Sequence, residues 1–459
     1  MTQVMWFRRD LRVHDHPALL RAAAAGEVLP LVVLDPALLR KPERPRAAAF
    51  LAAVAALDGA LEGRLVARTG RPERVLPQVC REVRAAAVHV SAETTPYGRR
   101  RDDAVATALR AAGVGWVATG SPYAVGPGLV RTRSGTPFSV FTPFARAWRA
   151  HGAPGPAPAP PRMRLVSGVA SQDLPPIPGR LPGGTPVTER EAQDAWAGFL
   201  AGAGSAYDQG RDRPDRAGTS RLSTALKLGT LHPRTLLHDL ARHGLSDGSA
   251  GARFVTELAW REFFADVLWH HPESAWADLR PVLAALEYAD PASDPVAAER
   301  FSAWREGRTG FPFIDAGMRQ LRAEGWMHNR LRMVTASFLV KDLHLWWPHG
   351  ARHFLDHLTD GDLASNSHGW QWVAGTGTDA APYFRIFNPV AQGLRFDPHG
   401  DYVRRYVPEL AHLHGAAAHE PWDAPGGYAH GYPERILDHA EQRRLALEGY
   451  AAARSGATT

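Results

Sequence analysis

The sequence predicts an α/β domain with a Rossmann-like parallel sheet, then a long Pro/Gly-rich connector, then a large all-helical domain. Three observations predict it. Short apolar runs alternate with helical patterns up to about residue 125. Proline and glycine then crowd residues 126–189. From 190 to 459 helical periodicity recurs and strand patterning nearly disappears.

In the first segment "VMWF" at 4–7, "LPLVVLD" at 29–35, "RLVARTG" at 64–70, "AVHVSAE" at 87–93 and "GWVATG" at 115–120 read as strands. "RAAAFLAAVAALDGALEG" and "RDDAVATALRAAG" read as helices between them. Strands separated by helices favour a parallel sheet covered on both faces. "RRDLRVHDHPAL" follows the first strand where a dinucleotide fold would carry GxGxxG, so the pyrophosphate fingerprint is missing. In the connector, "HGAPGPAPAPPRMR" and "SQDLPPIPGRLPGGTPVTE" predict chain with little regular structure, and "PFSVFTPFARAWRA" is an apolar island. Beyond it "TEREAQDAWAGFLA", "ARFVTELAWREFFADVLWHH", "FIDAGMRQLRAEGWMHNRLRMVTASFLVKDL" and "PERILDHAEQRRLALEGYAAA" read as helices. The stretch 321–345 is read as one helix, with Trp326, Asn329, Arg330 and Met333 on a single face.

Composition narrows the function. One cysteine, Cys80, excludes a disulfide scaffold and an intrachain thiolate cluster. No run of eighteen apolar residues appears, so no membrane span is expected. The chain opens on "QVMWFRRDLRV" with no hydrophobic targeting stretch, which predicts a cytoplasmic protein. The net charge is +6, and only three of the 53 cations are lysine. Arginine forks suit an anionic partner such as nucleic acid.

Polar and aromatic residues gather in four places. "GTSRLSTALKLGTLHPR" at 218–234 offers Thr219, Ser220, Arg221 and Ser223 where a helix begins, a pattern suited to phosphate. Tyr207 lies just upstream. Glu257, Trp260 and Arg261 share a helix face that could stack on a base and read its edge. Asn329 and Met333 stand on a buried-looking helix. "DGDLASNSHGWQWVAG" sets Asp360, Asp362 and Asn366 before Trp370 and Trp372, with Trp347 upstream. No metal-ligand spacing and no Ser–His–acid set accompanies them. An indole gives up an electron more readily than a phenyl ring, so this density of Trp suits a redox chromophore.

These stretches strongly resemble the photolyase/cryptochrome family: "WFRRDLR", "FTPF", "GTSRLS", "ELAWREF", "WMHNRLRMVTASFLVKDL" and "DGDLASNSHGWQWVAGTGTDAAPYFRIFNP". The chain most resembles the bacterial-type (class I) cyclobutane pyrimidine dimer photolyases. The resemblance implies deoxyribodipyrimidine photo-lyase activity, in which light-driven electron transfer from reduced FAD (FADH−) splits cyclobutane pyrimidine dimers in damaged DNA. It implies FAD held in the helical domain, with Tyr207 and the segment Thr219, Ser220, Arg221, Leu222, Ser223 at the diphosphate. Arg261 would help hold the cofactor. Arg332 and Asp360 would pair beside the isoalloxazine, Asp362 would meet the ribityl or ribose part, and Asn366 would face N5. It implies a lesion pocket of Glu257, Trp260, Asn329, Met333 and Trp372, with Arg330 near DNA phosphates. No metal is needed, and a monomer is expected.

The family's electron chain runs through three Trp. Trp370 and Trp347 fit the first two by resemblance. The third position falls in "EYADPASDPVAAERF", which has no Trp; Tyr288 stands in there, with Trp346, Trp276 or a branch of the chain as alternatives. The family also takes an antenna chromophore. Arg99, Arg100 and Arg101 in "TTPYGRRRDDA", and no Glu there, favour 8-hydroxy-5-deazaflavin over methenyltetrahydrofolate. A photosensory cryptochrome, a DNA-binding flavoprotein without turnover and a dinucleotide dehydrogenase are the competing readings.

Overall fold

The computed structural model describes the chain except for residues 40–43, 160–162, 178–184, 246–249, 281–282, 284–285, 380–385 and 457–459. The segment 380–385 of the expected "TDAAPYFRIFNP" motif thus lies outside the described residues. Chain contacts divide it into two units that interleave in sequence. The first holds Met1–Phe138, Thr142–Ser205 and Ser220–Pro272; the second holds Ser139–Phe141, Ala206–Thr219 and Glu273–Thr459.

In the first unit all five expected strands are present: β1 (Thr2–Phe7), β2 (Glu27–Leu34), β3 (Val66–Thr69), β4 (Ala85–Val90) and β5 (Gly115–Ala118). They pair in parallel in the order β3-β2-β1-β4-β5. The inner strands are buried because helices cover both faces, whereas the edge strand β5 stays partly exposed. Met5, Phe7, Val28 and Val32 pack on one side, and Val4, Trp6, Leu29 and Leu31 on the other. Prolines open several helices: Pro17, Pro45, Pro72 and Pro96 each sit in a first turn, where the lost N–H has no intrahelical partner. The apolar island forms the helix Phe141–His151, whose Phe144 lies 5.1 Å from Phe263 within this unit.

A buried carboxylate organises the loop after β5. Glu262, on the helix Ala250–His270, accepts the backbone N–H of Ala124 at 2.5 Å and of Gly126 at 3.2 Å, and the Trp148 indole N–H at 2.9 Å. Burial pushes its pKa up, and these donors oppose that shift.

The second unit is helical. Its core joins Trp304, Phe311, Phe313, Leu331, Phe338, Trp347, Phe354, Trp370 and Tyr402. Asp315 plays the part here that Glu262 plays in the first unit, accepting Thr309 N–H at 2.8 Å, Thr309 Oγ1 at 2.7 Å and Tyr432 O–H at 2.6 Å.

The single helix expected over 321–345 is broken. One helix, Pro312–Glu324, ends at Gly325 with φ +59°, a conformation that favours glycine. The next, Asn329–Ser337, begins after His328, whose ring accepts the Arg330 N–H, and runs into a π-helical turn, Phe338–Asp342. Trp326 therefore does not share a helix face with Asn329, Arg330 and Met333. No described helix is long and apolar enough to cross a membrane.

Replacing Glu262 with Ala leaves three or more buried donors without an acceptor. We expect a loss of about 3 kcal/mol or more, and a smaller loss for Glu262→Gln, which keeps one carbonyl oxygen. Chemical denaturation of the two variants checks this; equal stability of Glu262→Ala and parent would refute it.

Candidate functional site

The second unit carries a buried, half-satisfied carboxylate. Arg332 donates through Nη2 to Asp360 Oδ2 at 2.7 Å and through Nε to the Met327 carbonyl at 2.8 Å. The Asp360 side chain is 1% exposed, and its Oδ1 is buried with no hydrogen-bond partner among the described residues. A carboxylate buried with one oxygen unspent is costly unless a donor completes it. Two residues on, Asp362 caps the helix Leu363–Ala374 by accepting the Ser365 N–H at 3.1 Å. Asn366, in the first turns of that helix, donates its amide to the Ala351 carbonyl at 3.0 Å. Asp360, Asp362 and Asn366 are thus brought together by one loop and one helix start. The helix closes at Gly375, φ +86°.

Along the same helix Trp370 is buried and Trp372 only partly so, as two positions separated by one residue require. Trp370 stands edge-on to Phe354, with ring centroids 5.0 Å apart, and to Trp304 at 6.1 Å. It also lies against Gly350 of the helix Trp347–His357. A Cβ there would come within 2.7 Å of Trp370 Cζ2 and Cζ3, and closer still to Cη2. Trp347, fully buried, donates its indole N–H to Asp278 at 2.6 Å and meets the Trp346 ring at 6.4 Å. Gly350, Phe354, Trp304 and Asp278 were not singled out from the sequence. Only the three-residue spacing of Gly350 from Trp347 could have pointed to any of them.

Asn329 is exposed at the start of its helix. Met333 sits one turn on, with Asn329 Nδ2 3.8 Å from its sulfur. Arg330, expected at DNA phosphates, is instead held inside the unit. It pairs with Asp212 at 2.9 Å and its guanidinium lies 4.2 Å from the Phe396 ring. Tyr207 is buried at the start of the short helix Tyr207–Gly210, and Thr219 is partly buried.

In the first unit the helix Ala250–His270 is unbroken, so Glu257, Trp260 and Arg261 do share a face. Trp260 rests on Phe263 and Phe264, at 5.8 and 5.3 Å. Arg261, expected at the cofactor, is committed to protein: it donates to the carbonyls of Pro122 at 3.0 Å and Leu226 at 3.1 Å, and stacks 4.3 Å from Tyr123. The helix expected near Ser220 runs over Ser223–Leu228. Its N-cap is Leu222, with no side-chain cap, so the hydroxyl caps read from the sequence do not form. Arg221 holds φ +52°, an uncommon conformation for a residue with a Cβ.

Two family models match: "DNA photolyase" over residues 3–162 and "FAD binding domain of DNA photolyase" over 254–452. The deoxyribodipyrimidine photo-lyase of Streptomyces griseus is 43% identical, covering 96% of this chain and 97% of its own. Among solved structures, a class III photolyase from Agrobacterium tumefaciens superposes with TM-score 0.88 at 36% identity, covering 99% and 98% of the two chains. An archaeal photolyase from Sulfolobus tokodaii with two FAD molecules superposes with TM-score 0.84 at 27% identity, covering 98% and 100%. Similarity at this level, sustained from end to end, means that the chain belongs to the DNA photolyase/cryptochrome family.

Proposed function

We propose that this protein is a deoxyribodipyrimidine photo-lyase that uses FAD and light to split cyclobutane pyrimidine dimers in DNA. One observation carries the reading: the Streptomyces photo-lyase is 43% identical over 96% of this chain and 97% of its own. The residues fit the cofactor. The unspent Oδ1 of buried Asp360 asks for a donor, which a flavin ring N–H or ribityl hydroxyl provides. FAD held by these residues would supply light-driven one-electron transfer to the dimer.

The chain's own groups do the rest. Arg332, held by Asp360, keeps a fixed positive charge where an anionic cofactor is favoured. Asn366 is neutral and can turn its amide, so it suits a ring nitrogen that changes protonation; a carboxylate there would oppose the negative charge. Asp362 serves the ribityl or ribose hydroxyls. Tyr207, Thr219, Ser220, Leu222 and Ser223 serve the diphosphate, with Arg221 as its cation. In the second unit Trp372 would stack on an extruded dimer, Asn329 would hydrogen-bond a base edge and Met333 would contact it; in the first, Trp260 and Glu257 offer the same two kinds of group. A dimer pairs poorly, so extruding it costs less than flipping an intact pair. Trp370 and Trp347 relay electrons inward to keep the cofactor reduced.

An antenna suits the first unit. A cavity of about 600 Å³ opens at the ends of β2 and β3, lined by Asp35, Arg71, Tyr97, Arg100 and Arg101 among others. Arg99 is turned elsewhere, stacking 3.8 Å from Trp269. Tyr97 donates to Asp35, and burial together with that carboxylate pushes its phenol up to about 12. Arg100 and Arg101 favour an acidic chromophore, and we read it as 8-hydroxy-5-deazaflavin rather than the folate. The Sulfolobus photolyase with its two FAD molecules supports a second chromophore in this family. An absorption band beyond those of flavin in the purified protein is the expected sign.

Blue-light illumination of the reduced protein with a dimer-containing oligonucleotide tests the activity. Thymine absorbance should recover with turnover. Binding without recovery would leave a lesion-binding flavoprotein, and neither would favour a photosensor. Trp260→Ala removes one stacking surface, worth about 1–3 kcal/mol, so dimer binding should weaken about ten- to a hundredfold. Titration of labelled damaged duplex reads it, and unchanged affinity would remove Trp260 from the lesion. Gly350→Ala should cost about 1–3 kcal/mol in overpacking, displace Trp370 and slow photoreduction. Parent-like rates would mean that the Trp370 position is immaterial.

A further inference from the structure

We infer that Trp346 is the outer terminus of the electron relay, taking the place of the third Trp that this sequence lacks. The inference deepens the photo-lyase reading and rests on its assignment of Trp370 and Trp347 to the relay. The residue must meet three physical conditions. It must touch Trp347, reach solvent, and be able to carry or shed the positive charge left when an electron moves inward.

Trp346 meets the first two directly. Its ring stands 6.4 Å from that of Trp347 with planes inclined at 66°, and this is the tryptophan contact the structure gives Trp347. Trp347 is fully buried, while Trp346 is partly exposed at the N-cap of the helix Trp347–His357. A cation radical is costly to hold in an apolar core and cheaper near water. Asp278, 2.6 Å from the Trp347 indole nitrogen, stabilises a passing positive charge on that ring. Partial exposure lets Trp346 release its indole proton to solvent, after which the neutral radical no longer attracts the electron back.

The competing residues fail on chemistry. Tyr288 must lose its phenolic proton as it is oxidised. Its hydroxyl is buried and has no hydrogen-bond partner among the described residues, and burial pushes its pKa up. Asp278 acts on the phenol through space, but no described residue accepts a hydrogen bond from it. Trp276 is exposed, but the Arg352 guanidinium lies 5.0 Å from its ring centre, and a fixed cation disfavours a second positive charge there.

The steps balance. One electron leaves Trp370 inward, one passes from Trp347 to Trp370, and one from Trp346 to Trp347. Trp346 then loses its Nε1 proton to water, and a soluble thiol restores it with one electron and one proton.

The test uses the flavin-loaded, oxidised protein and follows the tryptophan-radical absorbance after a blue pulse. Trp346→Phe should shorten the radical lifetime about tenfold or more, because the charge recombines from Trp347. Tyr288→Phe and Trp276→Phe should keep the parent lifetime. A parent-like lifetime in Trp346→Phe overturns the inference, as does a shortened one in Tyr288→Phe. Electron paramagnetic resonance of the radical frozen in the unmutated protein is a second reading; an indole signal is expected, and a tyrosyl signal overturns it. Trp370→Phe separates the two levels of the argument. An undiminished radical yield there rejects the relay itself, whereas loss of yield there with no effect of Trp346→Phe rejects only the exit.

Discussion

The helical unit depends on a buried carboxylate that protein groups satisfy on one side only. Asp360 joins Arg332 through one oxygen and leaves the other inside without a partner. Burying a charge is tolerable when every lone pair finds a donor, and costly when one does not. The fold goes to some length to keep this pair. Gly325 stops one helix, His328 starts the next, and Arg332 lands one turn in, with its Nε fixed on the Met327 carbonyl. Asp362 then starts the helix that carries Asn366, Trp370 and Trp372. Position in this site therefore comes from helix ends, where side chains and backbone groups are both available, rather than from helix middles.

The same helices bury an aromatic core with two uses. Trp304, Phe354 and Trp370 fill space as any core residues do, edge-to-face and stacked. Indole also tolerates transient oxidation. A packed cluster is then a poor insulator, and what decides where charge goes is the charge around each ring. Asp278 at Trp347 and Arg352 at Trp276 have opposite effects on that path. Gly350 belongs to this account because its missing Cβ is what lets Trp370 lie flat against the helix that begins with Trp347.

Much of this was legible in the sequence, and the misses have physical causes. Each of the five apolar runs became a strand, the inner ones because a parallel sheet buried on both faces keeps nearly continuous apolar runs. The Arg332–Asp360 pair was expected by resemblance and is present at 2.7 Å. The break at Gly325 was missed because the apolar period continues across it; only the glycine and the His328 cap mark it. Arg261 and Arg330 have protein partners that the sequence does not announce. An arginine fork binds a carbonyl, a carboxylate or a phosphate equally well, and sequence does not say which lies within reach. Pro122, Leu226 and Asp212 lie within reach here.

Tyr288 and Trp346 show how far local sequence can carry a functional assignment. Resemblance to the family favours Tyr288 because it falls where the relay's third ring belongs. Redox chemistry adds a further condition, namely a hydrogen-bonded acceptor for the phenolic proton, and the buried hydroxyl has none among the described residues. Trp346 is adjacent to Trp347 in sequence, and adjacent residues usually point apart. Here the chain turns from extended to helical between them, with Trp346 at φ −64°, ψ 133°, and the two rings meet. A relay that lost its outer ring in one segment can thus regain it from the residue next to its middle ring, provided that a helix starts there.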